Sequence, residues 1–156
     1  VGEVWLKGPS VTPGYRNRPT ETEAAFSDGW YRSGDLARLD AAGFYHLVDR
    51  LKDMYVSGGE NVFPAEVEAV LASYPAISDA AVLGVPDVRW GESGVAFVVS
   101  ATPELDSAGI LAHCASRLAK YKCPARIIRV DTIPRSAAGK ILKPVLRARL
   151  NSGEFS

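Results

Sequence analysis

The sequence predicts an α+β fold, and three observations carry that prediction. Apolar, β-branched runs of strand length alternate with stretches whose apolar residues recur three and four apart, the spacing of an amphipathic helix. The texture changes near residue 49: before it, glycine and proline cut the chain into short pieces such as "GPSVTPGYRNRP", and after it the elements are longer. A length of 156 residues suits one ordinary domain, or a small domain with a piece of another.

The elements follow in order. Short strands are expected at residues 3–7 and 44–48, within hairpins and turns. Between them Thr20, with Glu23 three residues later, has the form of a capping box that opens a short helix. In "FPAEVEAVLASYP", Pro64 suits a first helical turn, and Val67, Val70, Leu71 and Tyr74 share one face. Strands are expected at 77–85, 94–100 and 126–130. Asp106 caps a helix whose Ile110, Leu111, Cys114 and Leu118 form the apolar stripe. A turn carrying Lys140 and a last helix complete a layered α+β domain. In "LVDRLKDMYVSGGEN", charged residues interrupt two apolar strands, which is where a boundary and a hinge are expected.

Eighteen lysines and arginines balance 18 aspartates and glutamates, so no net field draws the chain to nucleic acid or an anionic membrane, and any anion site is local. The two cysteines, Cys114 and Cys123, match no metal spacing and are expected reduced, in a cytoplasmic protein. His46 and His113 form no metal pair with each other. No apolar run approaches the roughly 20 residues that span a bilayer. The chain opens on Val1 and enters strand-like alternation at once, which reads as a fragment continued from upstream.

Several stretches have residues suited to chemistry. In "GWYRSGDLARL", Asp35 follows Ser-Gly on a sharp turn, where its carboxylate can accept from both hydroxyls of a ribose or simply close an Asx-turn. In "DRLKDMYVSGGENVFPAEVE", Arg50 can fork onto phosphate or ribose oxygens, and Gly58-Gly59 lets a thin ligand lie against the main chain; a plain hairpin with a solvated charge cluster fits equally. Trp90, in a polar loop, can cover a flat ligand or plug a core edge. "RLAKYKCPARI" places Tyr121 and Lys122 between a helix and a strand. In "PRSAAGKILKPVLR", Lys140 sits on a small flexible turn, with no acid beside it in sequence. Pro134 and Ile141 stand where a Walker A loop needs Gly and Ser or Thr, so it is no P-loop. It is either a point charge reaching into a site built elsewhere or an ordinary exposed lysine.

Together and in this order, "GEVWLKGPSVTPGYRNRP", "GWYRSGD", "DRLKDMYVSGGENVFPAEVE", "VPDVRWGE" and "PRSAAGKILK" resemble the C-terminal third of adenylate-forming acyl-CoA synthetases, relatives of luciferase and of peptide-synthetase adenylation domains. The resemblance covers nearly the whole chain. It implies ATP-dependent activation of a carboxylic acid, a fatty acid favoured and an aryl acid open, as an acyl-adenylate, with transfer to CoA. It implies that residues 1–48 are the tail of a large N-terminal domain with a β-barrel-like subdomain. Residues 49–156 are then a small mobile domain with a three-stranded sheet packed by helices and a hinge near 50–53.

By the same resemblance Lys140 is the adenylation lysine, Asp35 and Arg50 bind nucleotide, Lys52 is the hinge, and Gly58, Gly59, Trp90 and Tyr121 lie along CoA. Lys52 stands where many relatives have Asp, and Cys123 and Ala125 stand where some place basic residues for CoA phosphates, a role left to Lys122 or Arg126. The loop for ATP phosphates and Mg and the acid pocket are expected upstream, so this piece alone is expected inactive. Competing readings are transfer to a carrier protein and a non-catalytic regulatory module of the same fold. Unpaired strand edges in the first part open a route to a homodimer.

Overall fold

The computed structural model describes residues 1–102 and 104–155, and the chain divides into two compact units, Val1–Lys52 and Asp53–Ser156. No helix among the described residues is long and apolar enough to cross a membrane.

The first unit is an antiparallel sheet of β1 (Gly2–Leu6), β2 (Phe26–Ser27), β3 (Trp30–Leu39) and β4 (Tyr45–Arg50), with β3 paired to each of the others. Helix α1 (Pro19–Ala25) leads into β2, and its start corrects the expected capping box. Arg18 occupies the cap position without a side-chain cap, and Pro19 follows it. A proline there has no N–H to satisfy, so Thr20 is not needed. The hydroxyl that secures this corner belongs to Thr22, which donates to the Arg18 carbonyl at 2.7 Å and accepts from the Tyr15 amide at 2.9 Å. Residues 30–39 are a second correction. They form a ten-residue strand instead of a sharp turn at Asp35. Gly34 takes φ +72° inside it, and the pairing with β4 slips between Leu36 and Ala37, so the strand bends without ending.

The second unit holds β5 (Tyr55–Ser57), β6 (Glu60–Val62), α2 (Pro64–Ala72), β7 (Ile77–Asp87), β8 (Gly91–Ser100), α3 (Ser107–Ala115), β9 (Arg126–Arg129) and α4 (Lys143–Asn151). The three expected strands pair around β8, which lies antiparallel to β7 and parallel to β9, the chain crossing from β8 to β9 through α3. The β5–β6 hairpin then adds two strands, joined to β8 where Ser57 pairs with Gly91. Two three-residue strands are too short to show a period in sequence.

Both faces of this sheet are covered, which explains why β7 and β8 read as nearly unbroken apolar runs. Alternate residues serve alternate faces. Ala80, Val82, Ala96 and Val98 pack with Val67 and Leu71 of α2 and Ile110 and Cys114 of α3. Ala81, Leu83, Val95 and Phe97 pack with Ile128, Ile133 and Leu146 of α4. Gly84 lets Tyr55 lie close across β7, since a Cβ there would stand 2.3 Å from that of Tyr55. The buried phenol of Tyr55 has no hydrogen-bond partner among the described residues, and burial raises its pKa well above the ordinary range.

Asp106 caps α3 as expected, accepting from the Gly109 amide at 2.8 Å, and it also accepts from the Tyr74 hydroxyl at 3.1 Å. Replacing it, Asp106→Ala, leaves that amide without its cap and is expected to cost about 1 kcal/mol. Urea unfolding checks this: the midpoint falls while the slope is unchanged.

Candidate functional site

In the first unit the structure brings two expected residues together. Asp35 and Arg50 face each other in the β3–β4 register, and Arg50 Nε lies 2.7 Å from Asp35 Oδ1. Both side chains are partly exposed, so the pair itself contributes little to stability. It leaves Oδ2 of Asp35 without a partner among the described residues, available to accept from a hydroxyl. The backbone around Asp35 is fixed from β1. Glu3 Oε1 accepts from the Gly34 amide at 3.1 Å, and Ser33 Oγ donates to the Val4 carbonyl at 2.7 Å while accepting from the Asp35 amide at 3.1 Å. Glu3 also accepts from Trp5 Nε1 at 2.7 Å, and that bond leads in holding its carboxyl below the usual range. An open pocket of about 560 Å³ lies beside this corner, lined by Tyr15, Tyr31, Ser33, Arg50 and Lys52 among others. Lys52, the expected hinge, is exposed and is the last residue of the unit.

The second unit gathers Gly58, Gly59 and Trp90. Gly58 and Gly59 are the two loop residues of the β5–β6 hairpin, and their φ values of +61° and +85° fit the mirror-image turn such hairpins favour. The Gly58 amide donates to the Trp90 carbonyl at 2.8 Å, and the indole covers Gly58 so closely that a Cβ would stand 2.7 Å from it. Trp90 is itself held by Asp87, whose Oδ1 accepts from the Arg89 and Trp90 amides. A Cβ on Gly59 meets nothing within 4 Å. The result is a bare strip of main chain with an aromatic wall on one flank.

Tyr121 lies in a 3₁₀ turn, Lys120–Lys122, half-buried against the core of α2 and α3. Lys122 is engaged with Glu66 of α2, at 2.7 and 2.8 Å, and Arg126 donates to the Phe155 carbonyl at 3.0 Å. Both cations offered by sequence for CoA phosphates therefore have partners within the chain.

Lys140 is exposed, and its ammonium has no hydrogen-bond or ion-pair partner among the described residues. Its turn is not the loose loop expected. Arg135 bridges to Ile141, the Ser136 amide donates to the Lys140 carbonyl at 2.8 Å, and the Gly139 amide donates to the Ser136 carbonyl at 2.8 Å. Gly139 has φ +79°, a backbone that a side chain would strain. Arg135 and Asp79 are the residues that sequence reasoning missed. Arg135 Nη2 donates to both carboxylate oxygens of Asp79, at 2.8 and 2.9 Å, and its Nη1 donates to the Gly139 carbonyl at 2.8 Å. Arg135 stands inside the "PRSAAGK" string, but Asp79 is 56 residues away, and no spacing rule pairs them.

Residues 66–140 match the model of the AMP-binding enzyme C-terminal domain. The chain carries an AMP-binding enzyme C-terminal domain. The chain is 46% identical to the long-chain-fatty-acid–CoA ligase FadD13 of Mycobacterium tuberculosis, over 97% of this chain and 30% of the ligase. A feruloyl-CoA synthase of Amycolatopsis is 49% identical over 95% of this chain and 30% of that protein. In three dimensions it is similar to o-succinylbenzoate CoA synthetase (MenE) of Bacillus subtilis in complex with its acyl-adenylate intermediate. That match has a TM-score of 0.87 and 44% identity, over 94% of this chain and 30% of the synthetase. The chain thus spans about 30% of the length of these relatives, at their C-terminal end. The expected family and α+β class both hold for the AMP-binding C-terminal domain, whose homologues are acyl-CoA ligases.

Proposed function

We propose that this chain is the C-terminal part of an AMP-forming acid–CoA ligase. Its parent activates a carboxylic acid with ATP and passes the acyl group to CoA. The observation that carries this reading is Lys140: an unpartnered ammonium on a braced turn, in the domain family whose homologues here are acyl-CoA ligases. In the first half-reaction its Nζ sits between the attacking carboxylate and the α-phosphate, offsetting negative charge as oxygen closes on phosphorus. Asp35 Oδ2 accepts from the ribose, with Arg50 holding the other oxygen of that carboxylate. ATP enters with Mg²⁺, held mainly by residues upstream of this chain.

In the second half-reaction the pantetheine arm of CoA lies along Gly58 and Gly59 beside Trp90, with Tyr121 further along. Lys52 is the swivel between the two states, which its exposed place at the end of the first unit supports. A fatty acid is the proposed substrate. The feruloyl relative, at 49% identity, makes an aryl acid the specific competitor.

The test is pyrophosphate release by the full-length protein with ATP and a panel of fatty and aryl acids, followed by thioester formation with CoA. Fatty acids are expected to give the highest kcat/KM, with release dependent on the acid and thioester dependent on CoA. Preference for an aryl acid removes the fatty-acid assignment. Acyl transfer to a carrier protein but not to CoA replaces the acceptor, and absence of pyrophosphate release with every acid removes the enzyme reading.

A further inference from the structure

We infer that Arg135 is a positioning residue for Lys140, tying the lysine turn to the sheet through Asp79; the inference rests on the adenylation role proposed for Lys140. The turn's internal hydrogen bonds join residues 134–142 only to one another: Ser136 to Lys140, Gly139 to Ser136, and Leu142 to the Pro134 carbonyl. Such bonds set the shape of the turn, while Ile133 and Ile141 pack its two ends onto the core beneath α4. Arg135 adds a directional polar tie closer to the peptide that carries Lys140. One guanidinium nitrogen donates to both oxygens of Asp79, and another donates to the Gly139 carbonyl.

That carbonyl belongs to the same rigid peptide plane as the Lys140 amide, so holding it orients the backbone from which the lysine projects. Gly139, at φ +79°, is what permits the carbonyl to meet Arg135. At the other end, Asp79 is fixed in its own right. It stands on β7 where the pairing with β8 slips between Ile77 and Asp79, an irregularity of the kind that re-aims a side chain, and its Oδ1 also accepts from the Ala80 amide at 3.0 Å. The planar fork reaches the two acceptors with separate, rigidly spaced nitrogens, Nη2 to the carboxylate and Nη1 to the carbonyl, a span that a point-charge ammonium does not reproduce. Arg135 and Asp79 are both substantially exposed, so their pair adds little to folding stability. Its effect is to hold the peptide that carries a side chain whose own atoms are uncommitted, which lowers the entropy lost when that side chain meets its substrate.

The experiment uses the full-length enzyme and reads the two half-reactions separately, with Lys140→Ala run in parallel. Arg135→Ala is expected to slow pyrophosphate release about thirtyfold, within the range that a small misplacement of a reacting group produces. Thioester formation from preformed acyl-adenylate stays within about twofold, and the melting temperature is nearly unchanged. Arg135→Lys remains impaired, and Asp79→Ala added to Arg135→Ala costs little more, because both remove one connection. If both half-reactions fall together, Arg135 is structural and the inference is overturned. If Lys140→Ala slows pyrophosphate release and Arg135→Ala does not, the inference fails alone. If Lys140→Ala leaves pyrophosphate release unchanged, the proposed role of Lys140 fails, and this inference with it.

Discussion

Lys140→Ala in the full-length enzyme is expected to lower the rate of acid-dependent pyrophosphate release about a hundred- to a thousandfold. The magnitude is that of removing one preorganised donor aimed at developing charge in a water-poor site. Nothing in the domain consumes this ammonium beforehand: it is exposed, with no partner among the described residues, so its loss leaves no buried group unpaired and the fold is expected to stand. The same substitution is expected to spare conversion of preformed acyl-adenylate and CoA to thioester, because no phosphorus–oxygen bond forms there. Lys140→Arg retains the charge on a broader, planar group and is expected to recover only part of the loss. Rapid-quench measurement of both steps decides the matter. An unchanged rate of pyrophosphate release in Lys140→Ala takes the residue out of the mechanism.

Gly59→Leu is expected to do the reverse, slowing thioester formation about a hundredfold while pyrophosphate release stays within a few-fold. Two effects need separating. At φ +85° any side chain strains the backbone, at a cost of roughly 1–2 kcal/mol. Beyond that, an isobutyl group lies along the strip proposed for pantetheine, where a glycine Cβ position meets nothing within 4 Å. Gly59→Ala shares the strain without the bulk, so the ratio of the two variants isolates the obstruction. The neighbouring glycine cannot serve this purpose, because a Cβ on Gly58 strikes the Trp90 ring at 2.7 Å and would displace the wall itself. Equal losses in both half-reactions for Gly59→Leu would move the thiol path elsewhere.

The contrast between the lysine turn and its brace marks how far sequence reaches. Lys140 was visible because Gly and small residues precede it and no acid stands near it in sequence. Arg135 lies in the same string and reads like any surface cation, since its carboxylate partner stands on β7, 56 residues away, and meets it only in the folded domain. The same holds for Glu3 and Gly34, which meet across β1 and β3. The β5–β6 hairpin is legible only in its turn: the two glycines announce it, but at three residues each its strands offer no alternation to read, so its place in the sheet is not. Lys122 shows the converse case. Sequence offered it to a ligand, and the fold gave it to Glu66.

The sequence by itself determined the α+β class, the periods and places of the long elements of the second unit, the cap on α3 and the family, because these depend on local spacing and on ordered motifs. Tertiary structure alone decided that Asp35 lies in a bent strand paired to Arg50, that Trp90 covers Gly58, and that a guanidinium joins β7 to the peptide beneath Lys140. Each of these joins residues distant in sequence, and hydrogen bonds act over about 3 Å of space, whatever the length of chain between the partners.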